Sequence, residues 1–576
     1  MSDAAMLTDE DAGLHDWHPR PWILAGIGLL SGLAIHLILE SEGESGLGAA
    51  AVSFLFFGSA SAAFVLRPIR LIEAAMFSLV LGIVMAGIAW LAFNATGGRS
   101  DGEFTFAAGV FFSLLAIPLF QADFHRKRWN TSYEETHFHC WTDAVSAGGA
   151  FAFVGLSWLL LWLLHGLFSI VGIEVIERII ETDGFGGAFV GATFGGAMGV
   201  LRNQLNIIGT LQRVVMLVFA LLAAPFAMAI VIFLFILITS GGNALWEATD
   251  SATPILLSCA VAAFILTNSI VRDNDEMRSA NAVMLASAMA LAACILPLAI
   301  FASIGIGIRI DQYGLAPERI WALIAVIIAA VYGVAYWAGL ISGRKAGWCA
   351  HLRIANLRLA VVSCVIALTL ALPILNFGAI SASNQLARLE AGKVSVEDFD
   401  YTALRWDFGD AGREALAQLV ESENAEIAQL ASAAQAQESR PYHWIDANKS
   451  IEHAKNAEVV VSDQAVEDAV REELRQPGYL CAEDCRVVEI GQHEAGPLLV
   501  FVSGTESPVH TFWVYEWKST KLEQYSIRRG KLVRLGSRAV DRDAEQTSGD
   551  ERSVELRPFI GNQLYVDGKP VGDPFK

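Results

Sequence analysis

Glu134, Glu135, His137, His139 and Cys140 bring together residue types that hold metal ions. Glu134-x-x-His137 has the spacing of one half of a helical di-metal carboxylate site, and Glu135 and His139 also share a helical face. A complete site needs a second Glu-x-x-His and further glutamates from other helices, and the sequence offers none at matching depth. Asp123 and His125 lie in the same polar segment, with Trp129, Tyr133 and Trp141 alongside, the composition of an interfacial belt. The segment therefore reads as an amphipathic stretch in a loop at the membrane surface. Glu134, His137 and His139 are its weak metal candidates.

A second constellation surrounds Arg309-Ile-Asp-Gln-Tyr-Gly-Leu-Ala-Pro-Glu-Arg319. Tyr313-Gly314 followed by Pro317 is a turn that feeds a helix, because Pro loses nothing at the first helical position. Arg309, Asp311, Tyr313 and Arg319 then sit at one membrane face, able to bind an anionic substrate or to anchor two helix ends. Cys481 and Cys485 form the third group. A single turn can bring Cα atoms four residues apart to about 6 Å, within disulfide range. A disulfide is the leading expectation, with free thiols and a metal site as alternatives. So short a loop puts its stabilisation near the low end of about 2–4 kcal/mol. No His-Glu-x-x-His, Gly-x-Ser-x-Gly or phosphate-binding Gly-Lys loop is present. No cofactor is implied.

The surrounding sequence is apolar. Of 576 residues, 54% are hydrophobic and 17% charged, against about 25% charged in soluble proteins, and the mean hydropathy is +0.46. Runs long enough to span a bilayer continue to about residue 380, and an ordinary polar sequence follows. Three parts result: an N-terminal tail (1–21), a transmembrane helical domain (22–380) and a C-terminal α+β domain (381–576). The first 380 residues hold 18 Lys+Arg against 26 Asp+Glu and the remainder 22 against 34, so the net charge of −20 divides into −8 and −12. An acidic domain repels phosphate backbones, which excludes nucleic acid as a partner. The acidic start of the chain is unlike a cleavable signal peptide.

Eleven membrane helices are expected, at 22–39, 47–66, 74–93, 104–121, 143–168, 184–201, 214–239, 252–271, 281–305, 319–341 and 357–380. One alternate set of flanks carries 14 Lys and Arg, from Arg20 through Arg67, Arg126, Arg202 and Arg272 to Arg358. The other carries four: Arg99, Arg178, Arg309 and Arg319. Cytoplasmic loops are the basic ones, so the N-terminus is expected inside and the Tyr313-Gly314 turn and C-terminal domain outside. The sixth run has Gly187, Gly191, Gly195 and Gly199 at four-residue intervals, a bare face that admits a close helix neighbour, and Gly28 and Gly32 repeat the pattern. Tight packing in the bundle is the leading reading of this face, and a homodimer interface or a mobile transport helix the alternatives. Glu174, Glu177 and Glu181 oppose Ile173, Ile176 and Ile180, as in a short interfacial helix or an extension of the fifth span. No run has an Asp, Glu, Lys or Arg at its centre, which argues against ion-coupled transport.

In the C-terminal domain, Leu416, Leu419, Ile427 and Leu430 recur at helical spacing, and Ser462 can cap a helix over 463–475. The period then falls to two in short β-branched and aromatic runs at 487–490, 498–502, 511–517, 522–527, 532–535, 554–560 and 564–566, an antiparallel meander.

The Tyr313-Gly-Leu-Ala-Pro-x-Arg319 turn, Leu167–Ile173 (L-F-S-I-V-G-I), Leu245-Trp246 before an Ala-Thr pair, and Asn268 with Asp273 resemble the bacterial membrane family catalogued as domain of unknown function 4153. The likeness covers about residues 140–345, and Gly392–Val394 and Phe399–Trp406 are similar to extensions of some members. The resemblance implies a polytopic membrane protein and no chemistry. Where the family turn carries Thr this chain has Ala316, so no hydroxyl acts there. The functional expectation is an inner-membrane envelope scaffold, sensor or assembly partner, in contact with lipid and with other envelope proteins or a second copy. A permease is the alternative, and a membrane-embedded enzyme the third.

Overall fold

Within a bilayer each backbone N–H and C=O must find its partner inside the protein, and the α-helix achieves this within one segment. The computed structural model describes residues 17–42, 45–93, 101–240, 252–343, 347–437, 440, 457–475, 485–493, 496–503, 511–516, 521–528, 531–534, 554–558, 562–566 and 569–575. Its membrane-length helices are α1 (Arg20–Glu42), α2 (Gly46–Val65), α3 (Leu71–Phe93), α4 (Gly102–Gln121) and α5 (Tyr133–Ile170). After the short α6 (Val175–Ile180) come α7 (Phe185–Asn203), α8 (Leu205–Thr239), α9 (Ala252–Val271), α10 (Ala282–Tyr313), α11 (Pro317–Gly343) and α12 (Trp348–Ala371). Ten of these, all but α6 and α7, are long and apolar enough to cross a membrane, among the described residues. The outward faces carry Trp22, Ile72, Leu163, Ile170 and Ile341, all exposed. The chain is a multi-pass membrane protein whose surroundings are lipid.

Helix α8 begins at Leu205 rather than 214 and α10 runs to Tyr313 rather than 305, and three further differences from expectation have identifiable reasons. Helix α5 starts at Tyr133, not near 143: Ser132 caps it by accepting from Glu134 N at 3.2 Å, so the polar segment from Glu134 to Cys140 is helix rather than loop. The last span runs from Trp348 to Ala371, not 357–380. Trp348, Cys349 and Leu352 bury in the bundle at its start. At its end Leu372, preceding Pro373, is extended (ψ 157°), as the proline ring requires of its predecessor. The segment after α5 is the separate helix α6 rather than an extension, because Gly172 turns the chain at φ +73°.

Helix α7 takes its place through glycine. It runs antiparallel to α1, with Gly187 against Gly32, Gly191 against Gly28 and Gly195 against Leu24. A Cβ on Gly191 would lie 2.6 Å from the carbonyl carbon of Gly28 and nearer still to its oxygen, so backbone touches backbone. Gly199 meets Pro21 in the same way. Apolar clusters complete the bundle. The largest joins α8 to α12 around Ala263, Leu291, Leu298 and Tyr336, and another joins α1, α2, α3, α5 and α7 around Leu24, Val65 and Met198.

The chain divides into two units, residues 1–386 with 407–412 and residues 387–406 with 413–576. Helices α13 (Phe377–Glu390), α14 (Tyr401–Trp406), α15 (Gly409–Val420) and α16 (Ala425–Gln435) precede the main sheet, and α17 (Gln464–Arg475) lies between its first and second strands. Ser462 does not cap α17: its hydroxyl bonds Glu489 Oε2 at 2.6 Å, and Asp463 accepts from Ala465 N instead. Strands β1 (Glu458–Val460), β2 (Cys485–His493), β3 (Gly496–Ser503), β4 (Thr511–Glu516), β5 (Lys521–Arg528) and β6 (Lys531–Arg534) form one sheet in that order. Its pairs are antiparallel except β1 with β2, which the crossover through α17 makes parallel. Val466, Val470 and Leu474 of α17 pack on Val487 and Leu499 of the sheet. Strands β7 (Val554–Pro558), β8 (Asn562–Val566) and β9 (Lys569–Phe575) make a second, antiparallel sheet.

Candidate functional site

The basic flanks recognised in the sequence converge on one end of the bundle. Arg20 Nη1 donates to Arg202 O at 2.9 Å, Arg67 Nη2 to Gln121 O at 3.0 Å, and Arg70 pairs with Asp123 at 2.7 Å. Arg126 pairs with Glu73, and Lys127 with Glu135 at 2.8 Å. Arg353 closes the C-terminus of α9: Nη2 donates to Val271 O at 2.8 Å and Nε to Arg272 O at 3.1 Å, while Nη1 meets Asp275 at 2.9 Å. A cation over the last carbonyls of a helix is favoured by their partial negative charge. Arg272 itself holds a left-handed backbone (φ 53°), and burial pushes its guanidinium pKa down, with Asp273 opposing.

Just inside this end, four helices meet through neutral polar side chains. Asn268 of α9 donates from Nδ2 to Tyr336 Oη of α11 at 2.8 Å and to Phe264 O at 2.8 Å. The Tyr336 hydroxyl donates to Asn356 Oδ1 of α12 at 2.9 Å. Asn356 Nδ2 returns to Asn268 Oδ1 at 2.7 Å and reaches Tyr133 Oη of α5 at 3.3 Å. Tyr133 Oη lies 3.1 Å from His137 Nδ1. The amide and hydroxyl donors fix the direction of the bonds among Asn268, Tyr336, Asn356 and Tyr133. Tyr133 Oη accepts from Asn356, and its contact with His137 Nδ1 runs in whichever direction the imidazole tautomer sets. Tyr336 is fully buried, and Asn268, Asn356 and His137 are each at most 6% exposed. Such a ring holds four helices in one register, since each unmade bond would leave a buried polar group in apolar surroundings.

The metal candidates point to separate partners. Glu134 accepts from Asn274 Nδ2 at 3.1 Å, Glu135 pairs with Lys127, and His137 turns inward to Tyr133. The His139 ring lies edge-on to Phe138. Among the described residues no group of three or more His, Cys, Asp and Glu converges to hold a metal ion.

At the opposite end, the Tyr313-Gly314 turn closes on itself. Arg309 and Arg319 both lie over the Tyr313 ring, at 5.6 and 5.5 Å, and Arg319 Nη1 donates to Gly314 O at 2.8 Å. Gln385 Nε2 donates to Tyr313 O at 2.8 Å and to Leu315 O at 2.9 Å, while Asn384 accepts from Leu315 N at 2.8 Å. Asp311 also interacts within the protein and is exposed. Arg309 thus meets the ring of the turn, and Arg319 both its ring and its carbonyls. Cys485 opens strand β2 opposite Ser503, and Cys481 lies outside the described residues.

Sequence reasoning noted Asn268, placed Tyr133 in the interfacial belt and counted Arg353 among the basic flanks, but missed Tyr336 and Asn356. The available signal was three neutral polar residues inside apolar helices, where buried polar groups must find partners. Two open apolar dents, about 350 and 440 Å³, lie between α8 and α9 around Phe226 and Ala262.

No curated protein and no solved structure matches the chain. The family described as Domain of unknown function (DUF4153) matches residues 24–419, from the first turns of α1 through α14 nearly to the end of α15. By that match the chain belongs to this family of integral membrane proteins.

Proposed function

We propose that this chain is a bacterial inner-membrane protein of eleven crossings that acts as a rigid envelope scaffold, its N-terminus inside and its C-terminal α+β domain outside. The eleventh crossing is α7. Asn203 Nδ2 donates to Trp17 O at 3.0 Å, at the start of α1, while Gly184, just before α7, lies beside Leu33 and His36 near the other end of α1. Its 19 residues reach about 28 Å, close to the thickness of a bilayer core. The ends joined by Arg20, Arg67, Arg202 and Arg353 carry the basic residues, which favours the cytoplasmic side for them.

The observation that carries the scaffold reading is the bonded ring of Asn268, Tyr336, Asn356 and Tyr133: the buried polar groups engage one another across helices instead of lining a passage. A reporter active only outside the cytoplasm, fused after Ser381, is expected to be active, and one fused after Lys127 silent; the reverse pattern removes the topology. Photocrosslinking from residues of the C-terminal domain in living cells is expected to trap envelope proteins. Solute flux in vesicles containing only this chain, with no such adducts, removes the scaffold reading.

A further inference from the structure

A second polar cluster lies among α4, α5 and α7, apart from the ring of Asn268 and Tyr336. Gln121 closes α4, Asp143 and Ser146 lie one turn apart on α5, and Arg202 stands in the last turn of α7. Gln121 Nε2 donates to Phe64 O at 2.8 Å and to Asp143 Oδ1 at 3.2 Å, and Arg202 Nη1 is 3.5 Å from the same carboxylate oxygen. These bonds orient the amide, since exchanging its oxygen and nitrogen would set oxygen against two acceptors. Gln121 and Ser146 are 3% and 1% exposed. Four atoms of the cluster are buried without a protein partner: Gln121 Oε1, Asp143 Oδ2, Ser146 Oγ and Arg202 Nε. Native proteins rarely leave so many in one place, and each needs an account.

We propose that Gln121, Asp143, Ser146 and Arg202 form a binding site for ordered water that joins α4, α5 and α7. The two lone oxygens need donors, and a water molecule supplies two O–H groups, for Gln121 Oε1 and Asp143 Oδ2. Its own lone pairs then accept from Ser146 Oγ–H and Arg202 Nε–H, which completes the three or four bonds usual for a buried water. Charge selects water over an ion. Asp143 and Arg202 already balance, and Arg67 adjoins the cluster through Gln121 O. A bound cation would add to a positive surplus, and a bound anion would face two acceptor oxygens.

The sign of one substitution separates a wet cluster from a dry one. In a dry cluster the Ser146 hydroxyl is a buried, unsatisfied group, so Ser146→Ala raises the melting temperature of the full chain in nanodiscs. In a wet one the same change removes a partner of the water and lowers it. The expected result is a lowered melting temperature, together with a density peak within hydrogen-bonding distance of both Gln121 Oε1 and Asp143 Oδ2 in an experimental structure of the unmodified protein. An unchanged or raised melting temperature, or no peak there, overturns the proposal. So does stabilisation by sodium chloride but not choline chloride, which assigns the site to a cation.

Discussion

Substituting Gly191 tests a backbone-to-backbone contact between α1 and α7. In Gly191→Ala the new methyl carbon would stand 2.6 Å from the carbonyl carbon and 3.3 Å from the Cα of Gly28. Ordinary carbon contacts are about 3.5–4.0 Å, so α1 and α7 must part locally by about 1 Å. The obstacle is backbone and cannot rotate away as a side chain would. The neighbouring pairs at Gly32–Gly187 and Leu24–Gly195 are as tight, so parting at one level loosens the others. Overpacking of this kind costs about 1–3 kcal/mol. Against it, Gly→Ala inside a helix gains up to about 1 kcal/mol of helix propensity. Two controls isolate the steric part: a Cβ on Gly196 would meet Ala25 Cβ at 3.6 Å, an ordinary contact, and one on Gly186 would meet nothing within 4 Å. Thermal unfolding followed by tryptophan fluorescence should place Gly191→Ala below the wild type and both controls at or above it. Indistinguishable melting of Gly191→Ala and Gly196→Ala would refute the backbone contact between α1 and α7.

Tyr336→Phe removes a hydroxyl that both accepts from Asn268 and donates to Asn356. The orphaned groups should lower stability by about 1–3 kcal/mol, and a double-mutant cycle with Asn356→Leu should show strong coupling, whereas additive effects would mean that the ring is not a unit. For the cysteines, a membrane-impermeant thiol reagent applied to intact spheroplasts should label neither Cys481 nor Cys485 until a reductant is added. Immediate labelling of both would remove the disulfide and weaken the outside placement with it.

The spans were legible because apolar length is nearly sufficient to specify a membrane helix, and the strands were legible where β-branched and aromatic residues alternate with polar ones. The partners of those elements were not. Gly28 and Gly32 showed the same small-residue spacing as Gly187 and Gly191, but nothing in spacing tells one glycine face that it meets another in the same chain. The start of α5 was hidden because Glu134, Glu135 and His137 read as loop, although from their places on the helix they reach Asn274, Lys127 and Tyr133. Arg353 looked like a loop cation. Its place on α12 is to cap α9, a pairing set by tertiary packing across 82 residues. The polar ring escaped for a related reason: a search for charged residues at helix centres passes over Asn and Tyr, and its members come from four separate helices.

The two ends of the bundle are secured by different chemistry, and the difference bears on what each can do. The basic end relies on guanidinium groups that reach helix-terminal carbonyls and carboxylates, with Asn and Tyr bonded beneath them. The other end is closed by amide side chains of α13: Asn384 and Gln385 occupy the backbone groups of the Tyr313–Leu315 turn, and Trp321 Nε1 reaches Asp101 at 3.1 Å. Phe377 and Ser381, on the first turns of α13, are buried. The start of α13 is therefore held by the same turn whose arginines lie over Tyr313. The turn thus holds the start of α13, and Arg319 joins it by lying over the Tyr313 ring and donating to the carbonyls of Tyr313 and Gly314.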